Sequence, residues 1–216
     1  MGKPVKGVSG RGPGRRGDQA RATRRRIVDA AAGLFIRHGY AATTLEQVAE
    51  RAGVAVQTVY FAFRTKDELL RAVHEWTVLG DDPTPPQLQD WHVAAMAEPD
   101  ARSAMPKIVA GIATIQARTA PMVPVFNAVS HDAAGAIYQQ SEDMRRRDMA
   151  ELVEALAKKT PLRKPVTRRR AADLIFVLTG PMSYRSFVID SGWKPRDWVR
   201  WVSGTLCHDL FADPGA

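Results

Sequence analysis

The chain is almost without cysteine: Cys207 is the single one in 216 residues, so no internal disulfide can brace the fold. A lone cysteine near a predicted helix end is expected to be a small core residue. No run of apolar residues approaches the roughly 18 expected of a membrane span. The opening stretch MGKPVKGVSGRGPGRRGDQA is basic but has no apolar segment behind its charges, unlike a secretory signal. A cytoplasmic protein with no membrane partner is therefore expected. Strand-like alternation, internal repeats, Gly-rich phosphate loops and nucleophile elbows are all missing. The five histidines, His38, His74, His92, His131 and His208, are scattered without HExxH or paired-ligand spacing. These absences argue against an enzyme, and no catalytic residue, cofactor or metal is expected.

What is present is a lopsided charge. Residues 1–26 carry nine Lys/Arg and one acid, while the rest of the chain balances 22 against 22, so the formal net charge of +8 sits at one end. A localised positive field attracts a polyanion, and nucleic acid is the first candidate. Residues 1–19 are rich in Gly and Arg and poor in large apolar groups. They are expected to form a disordered basic arm.

Helical periodicity begins after the arm. Ile27, Ala31, Leu34 and Phe35 fall on one face, and the run stops at His38-Gly39. Thr43 with Glu46 three residues later reads as a capping box. Leu45, Val48, Ala49 and Ala52 then share a face, and Gly53 ends that helix. Ala55–Phe61 is a very short segment, and a fourth helix starts near Lys66-Asp67-Glu68 with acids suited to its dipole. A breaker cluster, Asp81 to Pro86, marks the connection between head and body. Long helical stretches follow at roughly 100–119, 121–130, 132–158, 167–190 and 195–212. The predicted class is all-α. Residues 20–68 are taken as a helix-turn-helix DNA-binding head and 69–212 as a helical ligand-binding and dimerisation body.

Residues 44–63, TLEQVAERAGVAVQTVYFAF, carry the functional reading. Two helices meet across Gly53, which supplies the positive φ of a tight turn at little steric cost. Ala49 is small where the helices approach, and Val54, Val59 and Phe63 are expected to point inward. Val56, Gln57, Thr58, Tyr60 and Phe61 are left on or beside the open face. Such a face can enter a DNA major groove. An ordinary packed helix pair shares this periodicity. The shortness of the second helix, its outward apolar groups and the upstream basic arm favour the DNA reading.

With these residues in place, residues 24–73 resemble the tetracycline-repressor-like (TetR) regulators. The resemblance rests on Ala30-Ala31, Leu34-Phe35, Gly39-Tyr40, Thr43-Thr44-Leu45, Val48-Ala49, Ala52-Gly53-Val54, Thr58-Val59-Tyr60, Phe63, Lys66 and Leu69-Leu70, without a gap. It implies an all-helical body, a homodimer, a small-molecule effector and, by default, a repressor. Two positions depart from the family pattern. Ala55 stands where Ser or Thr commonly caps the recognition helix, and Ala62 where an aromatic or His often touches phosphate.

Phosphate positioning is expected of Thr43 and Thr44 at a helix N-terminus. The resemblance extends that role to Thr58, Tyr60 and Lys66, with Arg64 a further candidate and Ala55 at the helix start. Base reading falls to Gln57 on adenine, Val56 on a thymine methyl and Phe61. The helix has no Arg or Lys, so DNA shape and the arm, through Arg11, Arg15, Arg16 and Arg21, are expected to contribute. So short a helix spans few base pairs, so a two-fold dimer on palindromic double-stranded operator DNA is expected. Leu174, Ile175, Leu178, Phe187, Trp198, Trp201 and Leu206 are the candidate dimer surface. Trp91, Met96, Met105, Met122, Phe126, His131, Tyr138 and Phe176 are the candidate pocket liners. A solid body would favour a DNA-binding architectural protein without a ligand. A cavity of about 300–1,000 Å³ would favour a sensor.

Overall fold

The structure, a computed structural model, describes residues 14–130 and 135–212, and among these every regular element is helical. The β pairing is limited to an isolated antiparallel bridge between Leu162 and Phe211. The all-α expectation holds: an N-terminal helix-turn-helix part precedes a C-terminal helical part.

The head is built from α1 (Gly14–His38), α2 (Leu45–Ala52), α3 (Val56–Ala62) and α4 (Lys66–Leu79). Helix α1 starts at Gly14, inside the stretch read as a disordered arm. Residues 14–19 thus continue the helix upstream of Ile27, while residues 1–13, with Arg11, lie outside the described residues. Gly39, at φ 80°, ends α1 as its position after the last periodic residue predicts. Helix α2 is capped one residue later than expected. Thr44 accepts from the Gln47 amide while the Gln47 side chain accepts from the Thr44 amide. The box is therefore Thr44/Gln47, and Glu46 is free for another role.

Ile27, Ala31, Phe35, Val48, Ala49, Val59 and Leu69 are completely buried in the head core. Helix α4 runs unbroken across residues 68 and 69, and its Leu69, Leu70, Ala72 and Val73 all join this core. The core also takes in Met122, Val125, Phe126 and Val129 from the short α7 (Val123–Ala128) and its approach. Head and body are thus fused through α4 and α7.

The body comprises α5 (Asp90–Met96), α6 (Ala101–Thr119), α8 (Gly135–Lys159), α9 (Arg168–Leu178), α10 (Pro181–Tyr184) and α11 (Pro195–Leu210). After α10 the chain continues as a wider π-type turn over Arg185–Asp190. The single helix expected over 167–190 is broken at Thr179-Gly180-Pro181, where the proline lacks the amide that would continue the ladder. Helix α6 is central. With its continuation to Ala128 it is long and apolar enough, by length and composition, to cross a membrane, contrary to the reading of the apolar runs. Its buried positions, Ala104, Met105, Ile108, Val109 and Ile112 among them, face the protein interior.

Pro106 lies within α6. It cannot donate to the Arg102 carbonyl four residues back. The Cys207 thiol of α11 donates to that carbonyl instead, at 3.7 Å. Burial pushes the Cys207 thiol up from its ordinary range, which keeps it protonated for this role.

Candidate functional site

The turn between α2 and α3 rests on Gly53, at φ 64° and ψ 44°. Val54 donates back to the Ala49 carbonyl at 3.0 Å, closing the turn. The short α3 is held from three sides. Val59 is fully buried, Val54 and Val56 pack against the head core, and Arg24 of α1 donates to the Ala62 carbonyl at 3.0 Å. The same guanidinium lies 4.1 Å from the Phe63 ring centroid, so one side chain closes the end of α3 and covers its last aromatic.

The opposite face is open. Gln57, Tyr60 and Phe61, spaced i, i+3 and i+4, are exposed together, and Phe61 is 93% exposed. Ala55 precedes them, exposed and without a side-chain capping bond, as its substitution for a hydroxyl residue predicts. Thr58 is half-buried and Arg64 is exposed, whereas Val56, expected on or beside the open face, is half-buried and packs against the head core. The Tyr60 hydroxyl donates to Glu46 Oε1 at 3.1 Å, tying the open face of α3 to α2. The Glu46 carboxylate raises the Tyr60 phenol above its ordinary value. Glu46 itself is lowered, first by its own backbone amide and then by the hydroxyls of Thr44 and Tyr60.

Two expected phosphate contacts have other work. Thr43 is 1% exposed and its hydroxyl donates to the Gly39 carbonyl at 2.9 Å, so it is part of the turn's interior. Lys66 spends its ammonium on the carbonyls of Tyr40, Ala41 and Thr43 and is not displayed toward a duplex. Thr44 remains exposed at the start of α2. Arg21 is exposed and paired with Asp18. The side chains of Arg15 and Arg16 lie outside the described residues.

Behind the head, α4, α6 and α8 enclose a cavity of about 310 Å³. Of the expected liners, Trp91 and Tyr138 are in its wall. Met105 and Met122 are instead packed solidly in the two cores, and Met96 packs against the body core. Phe126 stacks on Tyr138 at 4.8 Å, within the head core behind the wall. Phe176 is covered by the guanidinium groups of Arg145 and Arg146, 3.6 Å and 4.1 Å from its centroid. His131 lies outside the described residues. Residue type alone selected Met and aromatics, whereas α6 presents Ile108, Ile112, Ile115 and Gln116 to the space. The i, i+4 spacing of Ile108, Ile112 and Gln116 was the available signal.

The wall carries several perturbed groups, His74, His92, Tyr138 and Asp148. His74 of α4 is buried edge-on to Phe126 at 5.1 Å and to Tyr138 at 6.0 Å. Burial lowers its imidazole to about 4, against a weaker upward pull from the Glu142 carboxylate. Burial likewise pushes the Tyr138 phenol up to about 12.

The expected dimer residues divide. Trp198 and Leu206 are fully buried within one subunit, Trp198 donating to Ser183 Oγ at 3.1 Å and meeting Tyr184 edge-on at 5.1 Å. They are core residues. Ile175 is likewise fully buried. Leu174, Leu178, Phe187 and Trp201 are half-buried, and Val177, Met182, Ile189 and Trp193 are exposed beside them. The arginine runs at 145–147 and 168–170 have acidic neighbours: Arg145 pairs with Glu142 at 2.7 Å and Arg168 with Glu154 at 3.0 Å.

The described residues thus define a helix-turn-helix head fused, through α4 and α7, to a helical body with a cavity. Residues 27–73 match the family model described as bacterial regulatory proteins, tetR family. This likeness to the TetR family is confined to residues of the head and the start of α4. Over 55 residues it is 46% identical to an uncharacterized HTH-type transcriptional regulator, TtgW, of Pseudomonas putida. That match covers 26% of this chain and spans 41% of the relative's own length. Among solved structures it is similar to NalD, the secondary repressor of the MexAB-OprM multidrug efflux pump in Pseudomonas aeruginosa. The TM-score is 0.67 at 19% identity, over 91% of this chain and 100% of that one. It is also similar to SmeT, solved as a triclosan complex, with a TM-score of 0.64 at 21% identity over 90% of this chain and 96% of the other. At these identities the structural likeness speaks to the fold.

Proposed function

We propose that the chain is a sequence-specific, DNA-binding transcriptional regulator. It acts as a homodimer on palindromic operator DNA and is released by a small molecule held in the body cavity. The carrying observation is α3. Its inner side, Val59, is fully buried, while Phe61 is 93% exposed two residues later. A large aromatic left fully in water on so short a helix is costly unless it meets a partner. The amide of Gln57 beside it suits an adenine edge.

Thr44, Ala55, Val56, Thr58, Tyr60, Arg64 and Arg21 surround this face and are assigned to backbone positioning and close approach. Thr44 stands exposed at the capped N-terminus of α2, where the helix dipole favours a phosphate. The exposed apolar strip of Val177, Met182, Ile189 and Trp193, continuous with Phe187 and Trp201, is assigned to the dimer contact. The head is residues 20–68, with the rest of α4 as its link to the body, so cavity occupancy shifts the head through α4. Repression follows from the resemblance, and action in the cytoplasm from the need to reach DNA.

Selection of bound sequences from a random duplex pool tests the core of this reading. A two-fold symmetric consensus is expected. Gln57→Ala and Phe61→Ala are expected to weaken binding to that site by about tenfold or more each. Binding that is indifferent to sequence, or unchanged in both variants, would refute the assignment of α3.

A further inference from the structure

The cavity wall is apolar over most of its extent, lined by Ile108, Ile112, Ile115, Met149 and Leu152. Among the neutral polar side chains that interrupt it are His74 at 7% exposure and Gln116 at 3%. Gln116 Nε2 donates to the Thr179 carbonyl at 2.8 Å. A carbonyl can only accept, so this bond fixes which way round the amide sits. Gln116 Oε1 is then buried without a partner among the described residues. The His74 ring makes no hydrogen bond among the described residues; the Thr77 hydroxyl donates to its backbone carbonyl, not to the ring.

An unpaired buried acceptor is expensive, and the penalty is relieved by a ligand that donates to it. The charged groups of the wall do not favour an ionic ligand. Glu142 and Arg145 are bonded to one another at 3.0 Å and 2.7 Å, and burial pushes the Asp148 carboxyl up toward its neutral form. A neutral imidazole offers one donor and one acceptor, which matches the double capacity of a hydroxyl.

We propose, building on the sensor reading above, that the cavity takes an uncharged, largely apolar molecule bearing a hydroxyl group, which donates to Gln116 Oε1 and is met by the His74 imidazole. The apolar body of the ligand supplies the affinity, and the hydroxyl supplies the discrimination, because an isostere without it leaves Gln116 Oε1 unpaired.

The test uses the full chain and four probes of one ring system: 1-naphthol, 1-methoxynaphthalene, 1-naphthoate and 1-naphthylmethylamine. Binding is followed by calorimetry and by the fluorescence of Trp91, which stands in the wall. 1-Naphthol is expected to bind about tenfold more tightly than its methyl ether, the worth of one buried hydrogen bond, and both charged probes more weakly than either. Gln116→Met and His74→Phe, each checked for an intact thermal transition, are expected to shrink the naphthol-to-ether ratio to about threefold or less. The second variant keeps an aromatic ring against Phe126 and Tyr138, so it guards against misfolding of the first. Equal affinity for naphthol and ether overturns the hydroxyl proposal while leaving the cavity a binding site. An unaltered ratio in both variants, or tightest binding by the amine, also overturns it. If none of the four binds, the sensor reading fails with it.

Discussion

Lys66 stands over Tyr40: its ammonium lies 4.4 Å from the ring centroid and donates to that residue's carbonyl at 2.9 Å. The same nitrogen reaches the carbonyls of Ala41 at 3.2 Å and Thr43 at 3.0 Å, which uses all three of its donors. These carbonyls belong to the turn between α1 and α2, so the first residue of α4 closes that turn from outside.

The consequence is that Lys66→Met should act on stability and not on the duplex. A loss of about 2 kcal/mol is expected, read from the denaturation midpoint. The slope of log K against log salt should stay as it was, whereas a lost phosphate contact would reduce it by about 0.9. A flatter slope with unchanged stability would return Lys66 to the DNA.

Ala55 offers a gain. Its backbone, at φ −66° and ψ 147°, already has the extended geometry of an N-cap, but no side chain accepts from the exposed amides of α3. Ala55→Ser should stabilise the head by about 0.5–2 kcal/mol, measured by urea unfolding. The hydroxyl also stands at the proposed phosphate contact, so operator affinity should rise or hold. A drop in stability would mean that the start of α3 is shaped by something other than its missing cap.

Gly111 sits under an indole. A Cβ there would lie 2.0 Å from Trp91 Cε3, and Trp91 is further held by its own bond from Nε1 to Gln89 Oε1 at 2.8 Å. Gly111→Ala must therefore displace the ring. A destabilisation of about 1–3 kcal/mol is expected from overpacking. Because Trp91 lines the cavity, its fluorescence should change, and 1-naphthol binding should weaken. Unchanged emission from the variant would show that the indole is not seated as described.

His74 gives the fold a pH dependence of definite sign. Its imidazole falls to about 4 in the folded protein from an ordinary 6.5, because burial disfavours the cation. Above 6.5 the ring is neutral folded or unfolded, and its contribution to stability is complete. Between 6.5 and about 4 only the unfolded chain takes the proton, so stability declines as the pH falls. The loss should total roughly 3 kcal/mol. Urea midpoints measured across this window should fall less steeply in His74→Phe than in the wild type. Parallel curves would remove His74 as the cause.

The head was largely legible from the sequence because its signals are local. The left-handed turn at Gly53, the stop at Gly39 and the buried stripe of Val48, Ala49 and Ala52 each follow from residues within a few positions of one another. Even there the pattern was ambiguous by one residue. Thr43 and Thr44 are both plausible caps, and the choice of Thr44 turns on Thr43 bonding back to Gly39. The body was legible as helices but not as surfaces. Met105 and Ile115 are equally apolar in the sequence, yet the first is core and the second faces the cavity. Trp198, which looked available for a partner, is spent against Tyr184 and Ser183.

The sequence alone determined most of the helices, the turn that joins α2 to α3 and the exposure of Gln57, Tyr60 and Phe61 on α3, since helical period and glycine geometry act over one or two turns of chain. The tertiary structure decided the rest: that Lys66 serves the α1–α2 turn, that Gln116 and His74 share one cavity wall, and that Trp198 belongs to the core. Each of those depends on which helix faces which across tens of residues of chain, and a side chain's identity does not disclose its neighbours at that distance.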